Sequence, residues 1–356
     1  MKLEESVMTR FGGGLRLCGL LLLGLVALVS VAHSVQAQPF GGWGIYSRPE
    51  TGFLEIPHSS ALNPTGLITI EGWVNLDLQP TICSNIIGKG FQSTWWVGIC
   101  NGSLRSYLRG NGSARTGGVL AGGWNHFAVT FDGVRRRHFI NGELTNSWLE
   151  AGPLPTNTSP VRIGSDVDFL GSSPEGLINH IRLWNVSRST LQLRETINEA
   201  LTSPMPGLVA SWTGFGTDLV GPHDASVVGS VPGLTFPVTN EPCTTTATSL
   251  CLHDRFVISG NWRTGSGSGQ AMVAPITTVQ SGIFWFFNPT NWEVMVKVLN
   301  GCASTNHWWL FSAATTNVFY RLEVFDQLDG VNKVYFNYPG PPAPAVTDTM
   351  ALATCP

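Results

Sequence analysis

The sequence predicts an all-β protein built as two sandwiches, a larger one over residues 38–238 and a smaller one over residues 251–356. Three observations point there. Apolar residues recur with the two-residue period of half-buried strands: Phe127, Val129 and Phe131 alternate with Ala128 and Thr130, and Ile68, Ile70 and Gly72 with Thr69, Glu71 and Trp73. Dipeptides that tolerate φ > 0, Asp132-Gly133, Asn141-Gly142 and Asp329-Gly330, separate such runs. Composition agrees, since 41 Gly, 22 Pro and 12% charged residues suit a turn-rich β chain.

In the first region the pattern predicts strands at 67–75, 95–99, 104–109, 126–131, 137–140, 161–163, 177–184 and 208–212. One helix interrupts them from Ser189 to about Ala200, capped by Ser187 or Ser189, with Leu191 and Leu193 followed by Ile197. Pro232, Pro237 and Pro242, ahead of a Thr-rich run, mark a linker over 239–250. Beyond it, strands are expected at 255–262, 283–288, 294–299, 308–312, 319–325 and 333–338, enough for a second, smaller sandwich.

The N-terminus sets the compartment. Arg10 and Arg16 precede an apolar run from Leu17 to Ala32, and Val35-Gln36-Ala37 supplies small residues for cleavage. This predicts a signal peptide over 1–37 with Gln38 as the first mature residue. The run is too short for a membrane span, so the mature chain is expected to be exported without one. Cleavage removes Cys18 and leaves Cys83, Cys100, Cys243, Cys251, Cys302 and Cys355, an even set that reads as disulfides in an exported protein. Cys83 and Cys100 flank two strand-like runs, so pairing them would staple a hairpin. The other four leave three connectivities open. A net charge of -3, with no basic cluster beyond Arg135-Arg136-Arg137, argues against nucleic acid as a partner. That triplet is expected on an exposed strand face.

The stretch from Gly122 to Glu143, with Trp73 and Trp184 in similar settings, resembles the laminin-G-like and pentraxin jelly roll of the concanavalin A-like class. The resemblance implies ligand binding without catalytic machinery. Val161 to Asp168 is similar to the pentraxin stretch that offers an acid-x-acid pair to calcium, which implies Asp166 and Asp168 as ligands, and hard oxygens suit that ion. The departures weaken such a site. Gln92-Ser93 stands where pentraxins carry Asp-Asn, so Gln92 would lend one neutral oxygen, and Glu175 would have to replace another acid. Asn179-His180 replaces an Asp common in laminin-G-like domains. The family's buried disulfide is missing too, its positions falling near Trp73 and Ala128, so Cys83–Cys100 would be a different staple. The alternative is a polar turn whose Asp side chains cap backbone amides. The second region resembles Cys-bounded C-terminal modules of exported bacterial proteins, through Ile283–Pro289 and Val296–Cys302.

Catalytic patterns do not emerge. Retaining glycanases of this fold place two carboxylates on one strand, flanking an Asp. Here Glu71 stands alone, Asp77 follows six residues on, and Glu143 and Glu150 fall in a turn region. The nearest approach to a Gly-x-Ser-x-Gly elbow, Gly265–Gly269, has Gly267 at its centre. The histidines show no i, i+4 pair for zinc. In strands, adjacent aromatics point to opposite faces, so Trp96 and Trp292, both beside loops, are expected to be exposed sugar-stacking residues. Asn101, Asn111, Asn157 and Asn185 open Asn-x-Ser/Thr triplets, which are glycan acceptors in a suitable host and ordinary turn chemistry otherwise. The expected function is non-catalytic recognition of a glycan or a cell-surface protein through edge loops of the jelly roll, assisted by calcium. A glycan-cleaving enzyme of the same fold and a structural or adhesion component are the alternatives.

Overall fold

The alternating runs become antiparallel strands that pair into four sheets among the described residues. The computed structural model describes residues 40–41, 44–46, 52–76, 83–110, 112–120, 122–168, 175–214, 216–229, 233–234, 239–340 and 343–356. The expected signal peptide over 1–37, and Asn111, lie outside the described residues.

The larger sandwich stacks two sheets. One runs Glu143–Leu149, Arg135–Ile140, Trp124–Phe131, Ile68–Leu76, Gly176–Trp184, Gly44–Tyr46 and Gly233–Leu234, with Leu208–Trp212 also on Gly176–Trp184. The other runs Ser226–Gly229, Gly52–Ile56, Val161–Ile163, Cys83–Gly88, Trp96–Cys100, Ser103–Tyr107 and Arg115–Val119. Ile68, Ile70, Phe127, Val129, Ile87, Val97 and Ile99 meet between them in one apolar core. The turn dipeptides do what their chemistry requires: Asn141 and Gly142 sit at φ 52° and 72°, and Asp132 Oδ1 accepts the amides of Val134 and Arg135. His180, at φ 48°, marks a bulge where Gly176–Trp184 slips register against Ile68–Leu76.

The helix is shorter than the sequence suggests, Thr190–Thr196. Ser189 caps it reciprocally with Gln192. Leu193 and Ile197 are buried, whereas Leu191 is 70% exposed, because it lies on the far face of the turn. Arg136 is the second correction. Its strand position turns it inward, where it is fully buried, ion-paired with Glu150 and donating to the carbonyls of Ser106 and Ser113. Of the basic triplet, Arg135 is exposed and Arg137 pairs with Asp132 at 2.7 Å.

The smaller sandwich packs Phe40–Gly41, Val331–Asn337, Phe319–Asp326, Phe256–Arg263 and Ser249–Leu252 against Met272–Val273, Ser281–Trp285, Val294–Asn300, Trp308–Ala314 and Val346–Leu352. Phe284, Val294, Val296, Leu310, Leu322 and Val324 fill its core. Disulfides join Cys83–Cys100 across adjacent strands, Cys243–Cys251, and Cys302–Cys355. Cys243–Cys251 holds the Pro/Thr-rich segment to the smaller sandwich, with Thr239 N–H on the Gln327 carbonyl. Among the described residues no helix is long and apolar enough to cross a membrane.

The two sandwiches belong to one compact unit, and the contacts between their cores explain why. Trp73, Trp124, Leu177, Ile197 and Val334 make a third apolar cluster, with Phe336 stacked on Trp73 at 6.0 Å. Around it Arg321 donates to the carbonyls of Trp124 and Gly122, and Arg194 donates to the Gly142 carbonyl beneath the Tyr338 ring. Phe40–Gly41 pairs with Val331–Asn332, so the first described strand belongs to the sheet of the second core.

Candidate functional site

The acid-x-acid pair does converge on the turn that carries Gln92. Asp166 is fully buried, and Gly88 leaves room for its carboxylate beside the chain, as Gly90 does for that of Asp168. Its Oδ2 accepts the Gly90 amide at 3.2 Å, and its Oδ1 accepts those of Asp168 at 2.9 Å and Phe91 at 3.4 Å. Asp168, which is exposed, accepts the Gln92 amide at 3.0 Å. Burial raises the Asp166 pKa and the neighbouring Asp168 charge adds to it, against the amide hydrogen bonds. Both carboxylates thus cap the amides of residues 90–92, as Asp does in turns. The set matches calcium in kind, with hard oxygens on one loop edge, and falls short of its usual six to eight ligands. Glu175 opens the Gly176–Trp184 strand. No group of three or more His, Cys, Asp or Glu side chains suited to a metal is gathered among the described residues.

The two tryptophans part company. Trp292, between the strands Ser281–Trp285 and Val294–Asn300, is 45% exposed, as expected. Trp96 is 3% exposed, against expectation. Its neighbour Trp95 fills the core, so Trp96 turns to the opposite face, but there its ring lies along its own sheet. Gly88 and Gly98 have no Cβ to hold it off, Tyr107 meets it edge-on at 5.5 Å, and its indole N–H donates to Asn85 Oδ1. Two small residues on the neighbouring positions therefore convert an outward ring into a buried one.

Glu71 is not alone either. It is fully buried and accepts from Trp184 Nε1 and Arg188 Nη1, each at 2.8 Å, with His126 Nε2 at 3.3 Å and Arg182 Nη1 at 3.6 Å. Burial pushes its pKa up, but His126 and the two guanidiniums outweigh that and hold it at about 2. A carboxylate locked in its charged form with no solvent access is a structural brace.

The hollow suited to a ligand lies where the two sandwiches meet, and no single stretch of sequence announces it. Two adjoining cavities of about 420 and 610 Å³ share Val119, Arg263 and Phe319. Both fall in the range of ligand pockets, roughly 300–1,000 Å³. From the larger sandwich come Val119, 72% exposed, with Asn141 and Thr145. From the smaller come Asn261, Trp262, Gln270 and Asn317. Trp262 packs over Gly269, where a Cβ would sit 2.9 Å from the ring, and its N–H donates to the Gln270 carbonyl. Arg263 lies 4.8 Å over the Phe319 ring and is ion-paired with Glu143 across the seam. Among the described residues lining the two cavities, Glu143 is the one carboxylate. Sequence reading missed these residues because the walls come from positions more than a hundred residues apart. The one local signal was an aromatic ahead of the Gly/Ser run 264–269.

Solved structures are similar to parts of this chain. They include a candidate carbohydrate binding protein from Bacteroides ovatus, 18% identical, over 55% of this chain and 61% of its own length at a TM-score of 0.44. The heptameric SAP-like pentraxin of Limulus polyphemus is 16% identical over 55% of this chain and 96% of its own, at 0.39. The CBM40 of Ruminococcus gnavus IT-sialidase, solved with α2,3 sialyllactose, is 14% identical over 44% and 99%, at 0.36. The chain spans about 61% of the length of the Bacteroides ovatus protein. No curated protein matches. By sequence, residues 49–194, the heart of the larger sandwich, match the laminin G family model described as the concanavalin A-like lectin/glucanases superfamily.

Proposed function

We propose that this is an exported, non-catalytic glycan-binding protein whose ligand lies in the cleft between the two sandwiches. The observation that carries the reading is the cleft lining: Trp262 and Phe319 supply ring faces, Asn261, Gln270 and Asn141 supply amides, and Arg263 supplies a fork of donors. Sugars present apolar faces and hydroxyl rims, which such a mixture complements. The superfamily matched by residues 49–194 joins lectins with glucanases, and the lining favours the former. Hydrolysis needs two carboxylates about 5–9 Å apart, whereas Glu143 is already neutralised by Arg263. The three disulfides suit the oxidising compartment that export implies.

Titrating soluble oligosaccharides by calorimetry tests this. Trp262→Ala and Gln270→Ala should each weaken binding, the first by at least tenfold, without changing the melting temperature by more than a few degrees. Full affinity in both variants would remove the cleft from the reading.

A second form of the reading places the ligand at the edge loops of the larger sandwich, with calcium. It is favoured by the convergence of Asp166 and Asp168 on the Gln92 turn. A bound cation there would neutralise two close carboxylates. Calcium should then raise the melting temperature, by several degrees at a hundredfold excess over its dissociation constant, and Asp168→Ala should abolish the rise. An unchanged melting temperature at millimolar calcium would leave the cleft alone as the site.

A further inference from the structure

We infer that the outer face of the sheet Ser281–Trp285, Val294–Asn300, Trp308–Ala314 is a second binding surface, shaped for an extended, uncharged polysaccharide chain. The inference rests on the glycan-binding reading above and concerns a different surface. Strand alternation sends Phe284, Val296 and Leu310 into the core and leaves Ile283, Trp285, Met295, Leu299, Trp309 and Phe311 on the opposite side. Solvent-facing sheet positions ordinarily carry polar side chains. Here Met295 is 48% exposed and the others are partly exposed. The charge among them is Lys297, whose ammonium lies 5.8 Å over the Phe311 ring.

Register makes these residues a stripe. Ile283 stands opposite Met295, Lys297 opposite Phe311 and Leu299 opposite Trp309. From Trp285 to Trp309 the stripe is roughly 20 Å along the strands and 10 Å across them, by ordinary strand rise and spacing. Its footprint of a few hundred Å² is well below the ~800 Å² per partner of a stable protein interface. One lysine is too little charge to hold an anionic membrane surface. A narrow, flat, uncharged and aromatic stripe fits a ribbon-like polymer whose sugar rings present apolar faces.

The rings are also seated in advance. Trp309 packs against Gly301, where a Cβ would overlap the indole, and its N–H donates to Thr305 Oγ1 at 2.7 Å. Phe311 meets it edge-on at 6.4 Å. A ring held on one face by glycine and at its edge by a hydrogen bond loses little freedom when a ligand stacks on the other face.

The test is depletion of the full chain from solution by microcrystalline cellulose and by chitin particles, with soluble oligosaccharide titration run in parallel. The wild type should be depleted by at least one polymer. Trp309→Ala, and separately the pair Trp285→Ala with Phe311→Ala, should weaken that depletion at least tenfold. Trp309→Phe should keep most of it, and Trp262→Ala should keep it all while losing the soluble ligand. Undiminished depletion by correctly folded Trp309→Ala and by the pair would overturn the inference, as would no depletion of the wild type by either polymer. A wild type that sediments as a dimer, and as a monomer in Trp309→Ala, would also overturn it, since the face would then cover a second copy of the chain. A wild type that is depleted by a polymer yet binds no soluble oligosaccharide would refute the cleft and leave this surface standing.

Discussion

Replacing Glu71 by Ala is expected to destabilise the protein by about 3–5 kcal/mol, the cost of leaving a buried charge without its partner. Glu71 lies in the middle of a nine-residue strand, fully buried, with Arg182 and Arg188 around it. Both guanidiniums have further anchors: Arg182 donates to the carbonyls of Thr196 and Glu199, and Arg188 to Thr196 Oγ1 and the Gln192 carbonyl. They tie the helix Thr190–Thr196 and its exit to the sheet. Without the carboxylate, two cations face each other in a dry site, and Trp184 Nε1 loses its acceptor. The melting temperature should fall by roughly 10 °C at the few degrees per kcal/mol typical of larger domains. Glu71→Gln keeps an acceptor for Trp184 and Arg188 and should recover about half the loss. Chemical denaturation of both variants decides it. A change below about 1 kcal/mol in Glu71→Ala would mean the arginines find other counter-charges.

Acidification from pH 7 to pH 4 should cost about 3 kcal/mol through His138 alone, at 1.36 kcal/mol for each unit of pKa difference. Burial drives the His138 pKa down to about 4 from 6.5; its hydrogen bond to the Gly117 carbonyl opposes this, and the Arg136 charge adds to it. A histidine whose folded pKa lies below its unfolded one takes a proton first in the unfolded chain. Its contribution to stability is therefore present above pH 6.5 and is lost as the pH falls towards 4. His126 and His180 are shifted in the same direction, chiefly by burial, His180 to about 3. The groups that face His138 are Ser106 Oγ at 2.7 Å, the Gly117 carbonyl at 3.0 Å and the Trp148 ring, none of which stabilises an imidazolium as a carboxylate would. Unfolding free energies measured at intervals from pH 7 to pH 4 should decline along this range. His138→Gln, which keeps a donor and an acceptor, should flatten the slope. The same slope in wild type and variant would assign the acid sensitivity to other groups.

Neighbouring residues in the chain determined a good deal by themselves. Period-two alternation fixed where strands run, because a strand's two faces differ in solvent whatever it later packs against. Asn141-Gly142 and Asp132-Gly133 placed hairpins, because the φ > 0 demanded there is a property of the residues themselves. Cys83 and Cys100 could be matched because a hairpin brings its own ends together. What a side chain meets beyond its own strand was decided only by the tertiary structure. Trp96 and Trp309 have the same alternation and each packs against glycine, yet one is closed over by Tyr107 and Asn85 while the other keeps an open side. Arg136 lies in a basic triplet that reads as surface, and it is buried because Glu150, Ser106 and Ser113, from three other segments, complete its hydrogen bonds. Glu71 gathers partners more than fifty residues away, and the cleft exists only because one sandwich seats Arg321 and Arg263 on the other. Burial and charge pairing are sums over everything within a few ångströms, and in a long-range antiparallel fold most of that neighbourhood is remote in sequence.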